Sequence, residues 1–249
     1  MSLQHTISHS TIGKLNCAIL TPNNNKVDSV LIWMHGLGDN YRGFSNLFKN
    51  ILPPSMLAII PNAPVRTITV NNQKMNAWFN VKKIGSTDWD RDGILESKNL
   101  IDEIIQLQIS DNNIQPNRII VGGFSQGGSM SILVGLRSKY KLGGIISTSG
   151  FVTLYKDDET FKNSNRFIPI HILHGDSDPV IKFDFANIGF EYLKTQVKVE
   201  NMKTKIYNGV GHFVSDEEIK DLSQIIRNLH LSDQSQSNQS NTTIHRDEL

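Results

Sequence analysis

The sequence predicts an α/β fold, a mostly parallel central sheet with helices on both faces, and three observations carry that reading. Apolar runs of strand length recur along the chain, and segments of helical period separate them. The runs are also continuous in Val, Ile and Leu, as suits strands buried on both faces. Parallel neighbours need crossovers, which the intervening helices supply. At 249 residues the chain has the length of one large domain of this class.

Taken in order, the strands are CAIL (17–20), VLIWM (30–34), MLAII (56–60), IIVGGF (119–124), GGIIST (143–148) and IPIHIL (168–173), with a last one near KTKIY (203–207). Helices are expected over 41–51, 92–109, 126–139, 183–196 and 215–229. In the second of these, Ile94, Leu95, Ile101, Ile104, Ile105 and Ile109 fall mostly on one stripe, a packing face, while Asp90 and Asp92 supply N-terminal charge or a cap. The connector 61–93 is long for a compact domain, and connectors of that length are functional or partly structured. After Leu231 the chain turns polar, SDQSQSNQSNTTIHRDEL, and cannot repay the entropy of ordering. The expected division is therefore a domain over 1–231 and a disordered tail over 232–249.

Composition narrows the function. The 25 Lys+Arg nearly balance the 24 Asp+Glu, so the electrostatic footprint of a nucleic-acid binder is missing. No run approaches the roughly 20 apolar residues that cross a bilayer. The opening MSLQHTISHSTIGKLN has neither the basic nor the apolar region of a secretory signal. A soluble cytoplasmic protein without stable membrane insertion is expected. The last residues, Arg246-Asp247-Glu248-Leu249, stand one step from an endoplasmic-reticulum retrieval signal, an alternative that lacks an entry signal. The single cysteine, Cys17, cannot form an internal disulfide and reads as a buried strand position.

The chemistry centres on Gly123-Phe124-Ser125-Gln126-Gly127, a G-x-S-x-G pattern with a strand before it and a helix after it. A phosphate loop would place lysine after Gly127-Gly128, where Ser129 stands. A serine hydroxyl needs a base to take its proton. His212, in NGVGHFVSDEE (208–218), follows the last strand. The carboxylate partner comes from HGDSDPV (174–180), where spacing leaves Asp176 and Asp178 both open. The order serine, aspartate, histidine is that of the α/β-hydrolase fold. Of the other histidines, His35 and His174 stand in His-Gly pairs at strand ends, where a structural hydrogen bond to a loop is expected. No H-E-x-x-H or C-x-x-C spacing exists, so the expected mechanism uses neither metal nor cofactor. Oxyanion donors are expected from the backbone N–H of Gln126, at a helix N-terminus, and of Leu37, between the glycines of HGLGD.

Together HGLGD (35–39), AWFNV (77–81), GGFSQGG (122–128), SGF (149–151), HGDSDPVI (174–181) and GVGH (209–212) resemble the acyl-protein thioesterase and small carboxylesterase family, which has lysophospholipase-like members, over about residues 14–230. The resemblance implies Ser125 as nucleophile, His212 as general base and acid, and Asp178 over Asp176 as the orienting carboxylate. It implies an apolar acyl channel involving Trp78, Phe79, Ile84 and Phe151, whose alternative is core packing, and no large lid domain. The implied activity is hydrolysis of acyl thioesters or esters, above all depalmitoylation of S-acylated proteins. The alternatives are small esters or lysophospholipids as substrates, or a non-catalytic acyl-binding protein. The partner is thus an acylated protein or a small acyl ester. Oligomeric state is not specified. The chain departs from lipid-modified family members in lacking a cysteine near its N-terminus, and its polar tail is extra to the family pattern.

Overall fold

The computed structural model describes residues 4–155 and 164–232. Its centre is an eight-stranded sheet in the order β1-β2-β4-β3-β7-β8-β9-β10. The inner strands are β3 (Ser29–Met34), β4 (Met56–Pro61), β7 (Ile119–Phe124), β8 (Gly144–Thr148) and β9 (Ile170–Gly175), and with β10 (Met202–Tyr207) all run parallel. β2 (Leu15–Pro22) is antiparallel to β4 and to the edge strand β1 (His5–Ile12).

Continuous apolar runs became inner strands because both faces are covered. Along β3, Val30, Ile32 and Met34 enter one core while Leu31 and Trp33 enter the other, the alternation a strand imposes. The first core lies under α2 (Arg91–Ser110), α3 (Gln126–Arg137) and α4 (Phe183–Tyr192), the second under α1 (Arg42–Ile51) and α5 (Asp216–Ser232). On α2 the expected stripe is buried at Ile94, Ile101, Ile104 and Ile105, with Leu95 and Ile109 at its margin. Asp90 caps this helix, its Oδ1 accepting the Gly93 N–H at 3.2 Å. Cys17 is buried, and desolvation pushes its thiol up to about 12. The fold is of the α/β-hydrolase type, with no large lid domain among the described residues. No described helix is long and apolar enough to cross a membrane.

Three elements depart from the sequence expectation. β1, HTISHSTI, carries no apolar run, yet pairs with β2 along its whole length, from His5 opposite Pro22 to Ile12 opposite Leu15. Its bonds are backbone bonds, indifferent to its exposed side chains. Within the long connector, β5 (Val65–Ile68) and β6 (Gln73–Asn76) form an exposed antiparallel hairpin. The expected helix over 183–196 keeps α-geometry only to Tyr192. Leu193–Val197 then widens to a π-helical turn, which ends on left-handed Lys198. α5 includes Ser232, and the rest of the expected tail, 233–249, lies outside the described residues.

In the first turn of α5, Glu218 is fully buried and its N–H is capped by Ser215 Oγ at 3.2 Å. Neither carboxylate oxygen has a hydrogen-bond partner among the described residues. Burial, helped by the Asp221 charge, raises its pKa to about 7 from 4.5. The fold thus favours the protonated acid. The stabilisation is complete below pH 4.5 and is lost as the pH rises through 7. Glu218→Gln should therefore melt like the parent near pH 4.5, and at pH 8 be more stable by on the order of 3 kcal/mol. Urea titrations at the two pH values check this, and a gap that fails to widen with pH would refute it.

Candidate active site

β7 delivers the chain to Ser125, which joins strand to α3 with φ 54 and ψ −117. A side chain in that conformation is strained by roughly 1–3 kcal/mol and persists only where its surroundings impose it. Here the Ser125 N–H donates to the Thr148 carbonyl at 2.8 Å, and its carbonyl accepts the Ser129 N–H at 3.0 Å. The flanking glycines are required by contact. A Cβ at Gly123 would lie 2.3 Å from the Gly127 carbonyl carbon, and one at Gly127 would lie 2.0 Å from the Met34 oxygen. Strand, turn and helix pack too closely there for any side chain.

Two loops at the carboxyl ends of neighbouring strands complete the site. After β9, Asp178 is buried, and its Oδ1 accepts the N–H groups of Val180 and Ile181, each at 2.8 Å. After β10, His212 sits between them, its Nδ1 donating to Asp178 Oδ2 at 2.6 Å. A carboxylate only accepts, so Nε2 is the free acceptor, and Ser125 Oγ donates to it at 2.8 Å. Asp176 turns away from His212: its Oδ1 accepts from Ser177 Oγ at 2.9 Å and from the Gly209 N–H at 2.8 Å.

Leu37 and Gln126 line the same cavity as the serine. In the HGLGD loop the neighbouring N–H groups of Gly38 and Asp39 are spent on the carbonyls of Asn76 and Gly36. Gln126 opens α3, so its N–H has no carbonyl one turn back inside the helix. The Gln126 side chain ties this helix to the connector, its Oε1 accepting the Trp78 N–H and its Nε2 donating to the Phe79 carbonyl, both at 2.8 Å. His35 braces the same loop. Its Nδ1 donates to the Gly36 carbonyl at 2.7 Å, its Nε2 accepts the Ala63 N–H at 3.0 Å, and burial lowers its pKa. It is thereby held neutral.

Ser125 and His212 open onto a cavity of about 280 Å³. Phe79, Ile84 and Phe151 line it, with Ile84 55% exposed at the rim. Trp78 does not. Its indole is fully buried, and Nε1 donates to the His35 carbonyl at 2.9 Å, so the channel assignment is corrected to a core role. The wall holds residues that the motifs did not signal. Trp89 stacks on Phe151 at 5.4 Å and 18°, and Phe185 packs against both, at 6.4 and 5.9 Å. Trp89 shares its connector with Trp78 and Phe79 and is set apart only by the polar residues around it; Phe185 looks like any apolar helix residue.

Residues 15–230 match the family model described as Phospholipase/Carboxylesterase. Acyl-protein thioesterase 1 of Kluyveromyces lactis is 35% identical over 207 residues, which cover 80% of this chain and 90% of that protein. Acyl-protein thioesterase 1 homolog 1 of Dictyostelium discoideum is 34% identical over 206 residues, covering 80% and 89%. Among solved structures, Zea mays acyl-protein thioesterase 2 superposes with a TM-score of 0.76 at 23% identity, covering 86% of this chain and 98% of that one, and so shares the fold.

Proposed function

The chain belongs to the phospholipase/carboxylesterase family, and from that premise we propose that it is a serine hydrolase that removes fatty acyl groups from S-acylated proteins through an acyl-enzyme on Ser125. The observation that carries the reading is the continuous hydrogen-bonded series Ser125–His212–Asp178 at the mouth of an aromatic-walled cavity. Relatives named acyl-protein thioesterase support the substrate class.

In the first step Ser125 Oγ bonds to the carbonyl carbon of the thioester as its proton passes to His212 Nε2. The oxyanion forms against the Leu37 and Gln126 N–H groups, the latter at the positive end of α3. The carbon–sulfur bond then breaks, and His212 returns the proton to the departing thiolate. Water attacks the acyl-Ser125 ester with His212 again as base, and the fatty acid leaves with Ser125 regenerated. Asp178 holds the imidazole in the tautomer that makes each transfer possible. An oxygen ester would follow the same path with an alcohol as leaving group.

The test is kcat/KM across acyl-chain length on matched cysteine thioesters of a peptide, oxygen esters and lysophospholipids. Each methylene buried along the aromatic wall is worth about 0.8 kcal/mol, so the value should climb about fourfold per carbon until the chain meets the wall. Peptide thioesters should lead. A flat profile confined to short esters would overturn the acyl-protein assignment, and a lead for lysophospholipids would move the enzyme to lipid substrates.

A further inference from the structure

Asp178 is approached by two imidazoles, and the reaction proposed above uses only one. His212 Nδ1 lies 2.6 Å from Asp178 Oδ2. His174 Nε2 lies 3.7 Å from the same oxygen, but its proton is directed elsewhere, to the Ile181 carbonyl at 2.7 Å. The His174 ring is fully buried, edge-on to Phe183 with centroids 5.6 Å apart. Its Nδ1 has no hydrogen-bond partner among the described residues. A buried acceptor left unpaired costs free energy that an apolar ring of the same size would not. Packing therefore does not account for an imidazole at this position.

The bond that His174 does make has a definite consequence. Ile181 is held at both ends, its N–H by Asp178 Oδ1 at 2.8 Å and its carbonyl by His174 Nε2 at 2.7 Å. The turn 178–181 also carries the Val180 N–H to Asp178 Oδ1. We propose that His174 is a positioning residue: by pinning the Ile181 carbonyl it fixes the turn whose two N–H groups hold Asp178 against His212. The inference rests on the proposed hydrolysis. It also requires a neutral ring, because a protonated His174 would set a second positive charge beside Asp178 and repel the one that forms on His212 during proton transfer. Desolvation lowers the His174 pKa, and the titratable groups that act on it are Asp178 and His212.

His174→Phe keeps a buried ring and removes the donor, whereas His174→Gln restores a side-chain N–H at about the same reach. The Phe variant should lose kcat by roughly 10- to 100-fold, the cost known for groups that orient metal-ligating side chains, with KM nearly unchanged. The Gln variant should recover most of the kcat, again with KM nearly unchanged, which a merely structural role for the ring would not produce. Folded variants that both match the parent in kcat would overturn the inference. Should the Phe variant fail to fold, nitrogen NMR of the parent still decides, with an Nε2-protonated, neutral His174 expected throughout the active pH range. A charged or Nδ1-protonated ring would overturn it. Ser125-dependent turnover measured alongside separates failure of this inference from failure of the reaction itself.

Discussion

Ser125→Ala is expected to lower kcat by about a millionfold, the loss found when the nucleophile of a serine-histidine-aspartate set is removed. The replacement deletes one oxygen that reaches His212 Nε2 at 2.8 Å and leaves the strand, the turn and the helix start intact. Alanine suits the position no worse than serine: the φ of 54 is held by backbone bonds to Thr148 and Ser129, which a hydroxyl does not make. The variant should thus fold, bind fatty acid as the parent does, and lose covalent labelling by a fluorophosphonate. Residual turnover, about a thousandfold or more above water, would come from the oxyanion donors and the cavity. Retained labelling, or ester hydrolysis undiminished by the substitution, would remove Ser125 from the mechanism. A protein that binds acyl chains without hydrolysing them would show neither label nor turnover in the parent.

The parts of this molecule that could be read from sequence share a physical reason. Inner strands were legible because burial on both faces selects continuous apolar runs, as at Val30–Met34 of β3 and Ile119–Val121 of β7. β1 and the β5–β6 hairpin were illegible because their pairing is carried by backbone groups while few of their side chains are buried. The serine turn was legible because backbone sterics demand glycine at 123 and 127. The choice between Asp176 and Asp178 was not open to spacing. The two lie on one short loop, and only the direction of their hydrogen bonds separates them, towards Gly209 for one and His212 for the other. The cavity wall was the least legible part. Phe151 came with its motif, but Trp89 and Phe185 come from distant segments without one, and nothing local marks such an aromatic as facing a cavity. Trp78, by contrast, sits in a motif and faces the core.

Asp178→Asn should cost about ten-thousandfold in kcat, through the tautomer of His212 and not through lost packing. In the parent, Oδ1 is committed to the N–H groups of Val180 and Ile181, and Oδ2 faces His212 Nδ1 at 2.6 Å. An asparagine must leave its carbonyl oxygen where Oδ1 stands, because the two N–H donors cannot face an NH₂ group. Its Nδ2 then points at His212. Two donors cannot share a hydrogen bond, so Nδ1 gives up its proton and Nε2 acquires one. The imidazole now presents N–H to Ser125 Oγ and cannot take the serine proton. Geometry survives while the acceptor is lost. NMR of the imidazole nitrogens should show the proton moved from Nδ1 to Nε2, together with the drop in kcat. Asp176→Asn supplies the contrast: its Oδ1 serves Ser177 and Gly209 at the surface, and activity within about threefold of the parent is expected, because asparagine keeps an acceptor oxygen for the same two donors. Equal losses for the two aspartates would deny Asp178 its place beside His212. An Asp178→Asn enzyme that kept both its kcat and an Nδ1 proton would show that the carboxylate is dispensable to the proton transfer.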